Sequence, residues 1–323
     1  MRLGFFLSSN FPPGADTDHE MRGLLRQVEL AEEVGLDSVF LGHHYLTRSA
    51  FVQPLPLASF LAARTERLRL GLGVYLLPLH QPVAVAEELA SIDVLSGGRL
   101  IAGFGTGYRR TEYRAMGVDY DSRYRRLEES VDLLQRLWRG ESVDHEGSGG
   151  ELSEAQLHLC PTQPGGPPIW LGAFGPIGIR RVARLGASWL AAPEGGLGDL
   201  EERLALLRGA MVDAGHEPSQ RDYPVMREAF VAPTREQAVE LAGPHLAAQY
   251  ESYRGWEHGL DLQTLLDGHA LIGTPQDVVA RLLAYRELGV TDVIVRMQWM
   301  GMDPEVVLRS LRLLGSEVAP AVA

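Results

Sequence analysis

Short apolar runs alternate with amphipathic segments from one end of the chain to the other. Residues 3–8 form a first apolar run, and Met21, Leu24, Leu25, Val28, Ala31 and Val34 then recur at three- and four-residue intervals before Gly35. The first pattern predicts a strand and the second a helix that ends at the glycine. The rhythm repeats, with strands expected at 38–42, 68–77 and 99–105 and helices at 54–64, 83–95 and 122–138. In the last helix Tyr124, Leu127, Val131, Leu134 and Trp138 share one face.

Residues 140–168 break the alternation. They hold Gly147-Ser148-Gly149-Gly150, then Pro161, Pro164, Gly165, Gly166, Pro167 and Pro168, with a strand-like piece at 155–159 between them. Alternation resumes at once, which predicts an inserted excursion and not a linker. Strands follow at 169–172, 188–191 and 225–231, with helices at 176–185 and 200–214. A helix at 234–253, a second insertion at 254–271 and a helix opened by Thr274-Pro275 come next. A strand at 291–297 and a helix at 304–314 complete the chain.

Eight strands separated by helices predict a parallel sheet covered by helices. Periodicity leaves both a closed (β/α)8 TIM barrel and an open doubly wound sheet available. The count of eight favours the barrel, which closes without an edge. No second composition block appears, so residues 1–323 are expected to form one domain.

Composition narrows the partners. Hydrophobic residues make up 45% of the 323 and charged residues 22%, which is enough to bury a large core. The net charge is −12 and the basic residues are scattered, against a nucleic-acid groove or a membrane surface as the main partner. The apolar stretch near the N-terminus is too short for a signal peptide or a membrane span. A single cysteine, Cys160, excludes an intrachain disulfide, and a cytoplasmic location is expected.

In such a barrel, functional groups cluster on the loops after the strands. Three loops stand out. Gly42-His43-His44-Tyr45 follows the second strand, Gly103-Phe104-Gly105-Thr106-Gly107-Tyr108 the fourth, and Gly172-Ala173-Phe174-Gly175-Pro176-Ile177-Gly178 the fifth. The fifth-strand loop lets a backbone approach a ligand closely and opens a helix N-terminus, where a phosphate is the natural guest. A tight turn that needs glycine for geometry alone is the other reading. Neither glycine loop matches a P-loop or the full dinucleotide fingerprint. His43 and His44 suit proton transfer or, alternatively, structural hydrogen bonding. No metal-ligand spacing and no nucleophile elbow is present, so no metal is expected and hydrolysis is disfavoured.

Taken together, these pieces resemble the bacterial luciferase-like flavin monooxygenase superfamily. The resemblance rests on Ala31-Glu32-Glu33-Val34-Gly35-Leu36-Asp37-Ser38 before the paired histidines and on Arg69-Leu70-Gly71-Leu72-Gly73-Val74 before Pro78-Leu79-His80-Gln81-Pro82. It continues through Glu87-Glu88, Asp93, Ser96-Gly97-Gly98-Arg99, the loop at 103–108, Met116-Gly117 and the loop at 172–178. It ends with Leu271-Ile272-Gly273-Thr274-Pro275 and Gly289-Val290.

The resemblance implies a barrel with FMN in its mouth, the ring against the second to fourth strands and the phosphate against the fifth-strand loop. It implies a non-proline cis peptide at Gly73-Val74 and a proton-transfer role for His43. The implied cofactor contacts are Gly73, Val74, Thr106, Gly107, Tyr108, Gly172, Phe174, Gly175, Ile177 and Gly178. Tyr45, Gln298 and Trp299 are candidate mouth residues beside the substrate, and Met297 and Trp299 equally suit core packing at the end of the last strand. Luciferase holds the phosphate partly with an arginine where this chain has Thr106. Its carboxylate and hydroxyl residues of the fifth-strand loop align with Phe174, Gly175 and Gly178. Phosphate binding here would lean on backbone amides, assisted by Thr106, Tyr108 or a nearby arginine such as Arg180 or Arg181. A homodimer is also implied, with the apolar face of 124–138 as one surface able to take part, and the same face also suits ordinary packing on the barrel.

Three functions follow as expectations. The first is a monooxygenase that uses reduced FMN and O2 on a small organic substrate, with a separate flavin reductase, because the chain has no nicotinamide-binding half. The second is hydride transfer with the deazaflavin F420, whose anionic tail the acidic total charge disfavours. The third is a flavin-binding relative without catalysis, against which His43 and the mouth residues speak.

Overall fold

The computed structural model describes residues 1–148, 150–252 and 262–323. Eight strands carry the fold: β1 (Arg2–Leu7), β2 (Ser38–Leu41), β3 (Arg69–Leu72), β4 (Leu100–Gly105), β5 (Ile169–Gly172), β6 (Ser188–Leu190), β7 (Pro224–Val231) and β8 (Asp292–Arg296). They pair in parallel in the order β6-β5-β4-β3-β2-β1-β8-β7, and a short strand, Leu271–Gly273, adds to β7. The sheet curls. Just past β6, Ala191 bridges Val225 of β7, with the Ala191 amide donating to Pro224 O at 3.0 Å and the Met226 amide to Ala191 O at 2.8 Å.

Nine helices of the described residues cover or follow these strands: α1 (Thr17–Glu33), α2 (Pro54–Ala62), α3 (Pro82–Leu95), α4 (Arg123–Trp138), α5 (Gly175–Arg184), α6 (Leu197–Asp213), α7 (Arg235–Ser252), α8 (Pro275–Glu287) and α9 (Pro304–Leu313). A shorter helix, Arg110–Ala115, follows the loop after β4. Local chemistry sets the ends. The Asp16 carboxylate accepts from the Asp18 and His19 amides at the start of α1, and Thr274 and Asp277 form a reciprocal capping box on α8.

Strand alternation serves two cores. Leu3, Phe5 and Leu7 of β1, Val39 and Leu41 of β2, and Leu70 and Leu72 of β3 pack with the helices. The intervening residues meet inside the curl, where Phe40, Ile101, Trp170, Leu190 and Ile294 cluster with Phe6 and Val74. Phe40 and Trp170 stack at 5.3 Å, and a Cβ on Gly71 would lie 2.2 Å from the Phe40 ring. Glycine at that position is what admits the phenyl ring.

Two expectations change, and a third falls partly outside the described residues. The excursion after α4 is an antiparallel hairpin of Val143–Gly147 and Gly150–Ala155, not a strand at 155–159, because the glycines at 147 and 150 make the turn earlier in the segment. Of the second insertion, residues 253–261 lie outside the described residues. The apolar face of α4 is not free for pairing: Leu127, Val131, Leu134 and Trp138 are buried within the subunit, and only Tyr124 of that set is exposed. No helix among the described residues is long and apolar enough to cross a membrane.

Candidate active site at the C-terminal ends of the strands

The loop after β2 places its two histidines differently. His43 is buried, 3% exposed, and its Nδ1 accepts the Leu76 amide at 3.1 Å. Its ring lies flat on Tyr75 at 4.5 Å and edge-on to Tyr45 at 4.6 Å, and His80 stacks on the same Tyr75 at 4.5 Å. The Tyr45 hydroxyl stands 3.4 Å from His80 Nε2. Burial, helped by His80 and His44, pushes the His43 imidazole down to about 3, and burial pushes His80 down to about 4. Burial also raises the phenols of Tyr75 and Tyr45. All four rings are uncharged at neutral pH, so together they form a polar-tipped but neutral wall.

His44 turns to another partner. Its Nδ1 lies 3.0 Å from Glu112 Oε1, which also accepts the Tyr45 amide at 2.9 Å and Arg109 Nη1 at 3.1 Å. Arg109 holds the Tyr45 carbonyl as well, at 3.0 Å. The Glu112 side chain has no exposure, while that of His44 keeps 29%. Burial pushes the Glu112 carboxyl up, but hydrogen bonds from His44 and the Tyr45 amide, with the charge of Arg109, outweigh it and hold the group below the usual carboxylate range. The network ties the loop after β2 to the loop after β4, and the Tyr108 ring stands edge-on to His44 at 5.8 Å.

Glycines line the strand ends between β3 and β5. The Gly73-Val74 peptide is cis, as the resemblance implies. The Val74 side chain sits between two strands that lack a Cβ at this level: one on Gly105 would lie 2.5 Å from Val74 Cγ2, and one on Gly172 3.2 Å from Val74 Cγ1. Gly107 adopts φ +68° beside Leu76, and the Thr106 carbonyl accepts the Tyr113 hydroxyl. Tyr108 is exposed.

The loop after β5 enters α5 without a side-chain cap, with Phe174 at the cap position and Pro176 in the first turn. First-turn amides that lack partners inside a helix, with the dipole behind them, suit an anion. Gly175 has φ +64° and open space where a Cβ would point, Phe174 and Ile177 are exposed, and Gly178 packs on Ala173. Arg181 is drawn away to Glu128 at 2.6 Å, as is Arg184. Those arginines belong to the α4–α5 contact.

On the opposite side, Glu228 of β7 pairs with Arg296 of β8 and accepts the Trp299 indole N–H at 2.9 Å and the Tyr250 hydroxyl at 3.2 Å. Trp299 is 2% exposed, and its indole N–H serves this buried network. The Gln298 carbonyl accepts Ser8 Oγ at 2.8 Å, and Gln298 and Trp299 border a cavity of about 250 Å³ with Ser8, Asn10, Glu20 and Met300. Tyr45 stands instead in the ring wall around His43, so of the three expected substrate residues only Gln298 and Trp299 border this cavity. Sequence reasoning misses Glu112, Tyr75 and His80 as parts of the site. The trace of Glu112 is its place three residues after Arg109, directly behind a glycine loop.

A family model for luciferase-like monooxygenases matches residues 1–292. The chain is 32% identical over 249 residues to 4-hydroxyprotoasukamycin monooxygenase of Streptomyces nodosus subsp. asukaensis, a match that spans 74% of this chain and 66% of that relative. It is 30% identical over 318 residues to an F420-dependent glucose-6-phosphate dehydrogenase of Beutenbergia cavernae, across 91% and 90% of the two chains. The crystal structure of monooxygenase RslO1 from Streptomyces bottropensis superposes with a TM-score of 0.87 at 25% identity, covering 100% of each chain.

Proposed function

Because the chain belongs to the luciferase-like monooxygenase family, we infer that it uses reduced FMN and O2 to oxidise a small organic substrate, with the reduced flavin supplied by a separate reductase. Family membership and oxidoreductase relatives make the chain an enzyme, which sets aside a flavin-holding protein without activity. The curled sheet, joined across Ala191 and Val225, is read as the closed (β/α)8 barrel, whose C-terminal face is the working face.

The observation that carries the reading is the glycine-lined floor around Val74, set beside the uncapped first turn of α5. A planar ring needs a floor without projecting Cβ atoms, and a phosphate needs free amides at a positive helix end. The residues present fit FMN on both counts. Gly73 and Val74 would lie under the ring, and Gly172, Phe174, Gly175, Ile177 and Gly178 would hold the phosphate, assisted by the loop of Thr106, Gly107 and Tyr108. When bound, reduced FMN supplies the two electrons that divide O2 between substrate and water. The neutral wall of His43, Tyr45, Tyr75 and His80 keeps bulk water and stray charge from the reacting atoms. Tyr45 and Gln298 are the candidate contacts for substrate. None of the glycine loops carries the full dinucleotide fingerprint, which supports a borrowed reductant.

F420-dependent hydride transfer is the second reading, favoured by the relative from Beutenbergia cavernae. Isotopic oxygen separates the two. The protein is supplied with FMN, NADH and an unrelated flavin reductase under ¹⁸O₂ and presented with a panel of small ketones, aromatics and alkenes. One ¹⁸O atom in the product is expected. Turnover that proceeds without oxygen contradicts the reading.

A further inference from the structure

The adjacent histidines end in opposite chemical states. His43 accepts the Leu76 amide at Nδ1, so its neutral ring carries its proton on Nε2, and that nitrogen is sealed from solvent. It has no free lone pair. His44 faces a carboxylate through Nδ1. An ionised carboxylate only accepts, so Nδ1 carries the proton and Nε2, on the far edge of the ring, carries the lone pair. The ring keeps 29% exposure while the carboxylate beneath it has none.

We propose that His44, oriented by Glu112, takes and returns a proton at the mouth, and that His43 is a packed wall residue. The proposal rests on the reading of the mouth as a flavin site. In the first step, the His44 Nε2 lone pair forms a bond to hydrogen as an O–H bond of a substrate or water breaks, and the oxygen keeps the electron pair. The imidazolium is stabilised by Glu112, which stays ionised. The N–H bond at Nε2 then breaks as the proton is returned to an oxygen atom of substrate or water, and the neutral ring is restored.

Glu112 acts as a positioning residue. Three donors from three places hold it: His44 Nδ1, the Tyr45 amide and Arg109. A carboxylate that orients an imidazole and stabilises its charged form is the arrangement that makes a histidine an effective base. The titratable or charged groups facing His44 are Glu112 and Arg109, Tyr108 from the loop after β4, and Tyr45 and His43 from its own loop. Phe51 closes another side at 5.9 Å, and the Gln53 amide fixes the His44 carbonyl at 3.0 Å. Tyr108 links the pair to the candidate cofactor loop.

Two measurements test the pair. Ring-nitrogen NMR of the cofactor-free protein is expected to show His44 protonated on Nδ1, with a hydrogen-bonded proton lost in Glu112→Gln, and His43 protonated on Nε2. A wild-type His44 ring protonated on Nε2 overturns the proposal. Stopped-flow reoxidation of bound reduced FMN by O2 is then followed across pH. His44→Ala is expected to slow its proton-dependent phase by about 10²–10⁴-fold with FMN affinity unchanged. Glu112→Gln slows it less and displaces the pH limb, Glu112→Asp restores part of the rate, and His43→Ala leaves the limb in place. A limb lost in His43→Ala and kept in His44→Ala overturns the assignment. Failure of the wild type to bind reduced FMN overturns the functional reading instead, and the ring tautomers in the same sample then still support or refute the pair.

Discussion

Two buried imidazoles give the residue scale its clearest consequence. In the folded chain His43 and His80 fall to about 3 and about 4, from an ordinary value of 6.5. Between those limits the unfolded chain binds more protons than the folded one. Stability is therefore lost as pH drops through about 6.5 and continues to fall toward the folded values. Glu112, held low, resists acid until below the ordinary carboxylate range, so the interval from about 6 to about 5 isolates the histidines. The urea midpoint is expected to be lower at about pH 5 than at about pH 7.5, with a smaller difference in His80→Gln. An unchanged pH dependence in that variant contradicts the neutral wall. Sequence places the histidine pair at a strand end, where the structure has it. It cannot say which ring is sealed, because Tyr75, His80 and the Leu76 amide come from the segment after β3, and Glu112 from behind β4. Nearest neighbours in space here are distant in sequence.

Among elements, the turn into α5 has the most to reveal. Gly175 sits at φ +64° with nothing within 4 Å of where a Cβ would stand, so a side chain there costs backbone conformation and no contact. Left-handed backbone costs an L-residue roughly 1–2 kcal/mol. Gly175→Ala is expected to weaken reduced-FMN binding by up to about tenfold, equal to ~1.4 kcal/mol, as the loop relaxes. Calorimetric titration beside circular dichroism checks it, and unchanged affinity with unchanged stability contradicts the role given to this turn. The eight strands are legible because apolar runs between amphipathic helices leave few alternatives. The hairpin after α4 begins earlier than its sequence suggests, because Val143-Asp144-His145-Glu146 is largely exposed and has no apolar period to betray it. From its position after β8, Trp299 reads equally as a mouth residue or as core packing. Its indole is claimed by Glu228, a carboxylate 71 residues away in sequence.

At the scale of the whole molecule, the acidic balance of −12 coexists with a mouth whose ring wall is neutral and a candidate phosphate turn that lacks a side-chain cap, with Arg181 and Arg184 drawn to Glu128. Such a site holds one phosphate and a flat ring more readily than a cofactor with a long anionic tail. Anaerobic titration of the wild-type protein with reduced FMN, oxidised FMN and reduced F420, read by fluorescence, tests that claim most directly. The account predicts micromolar or tighter binding of reduced FMN, with oxidised FMN and F420 both weaker. F420 binding as tight as reduced FMN, or tighter, would contradict it.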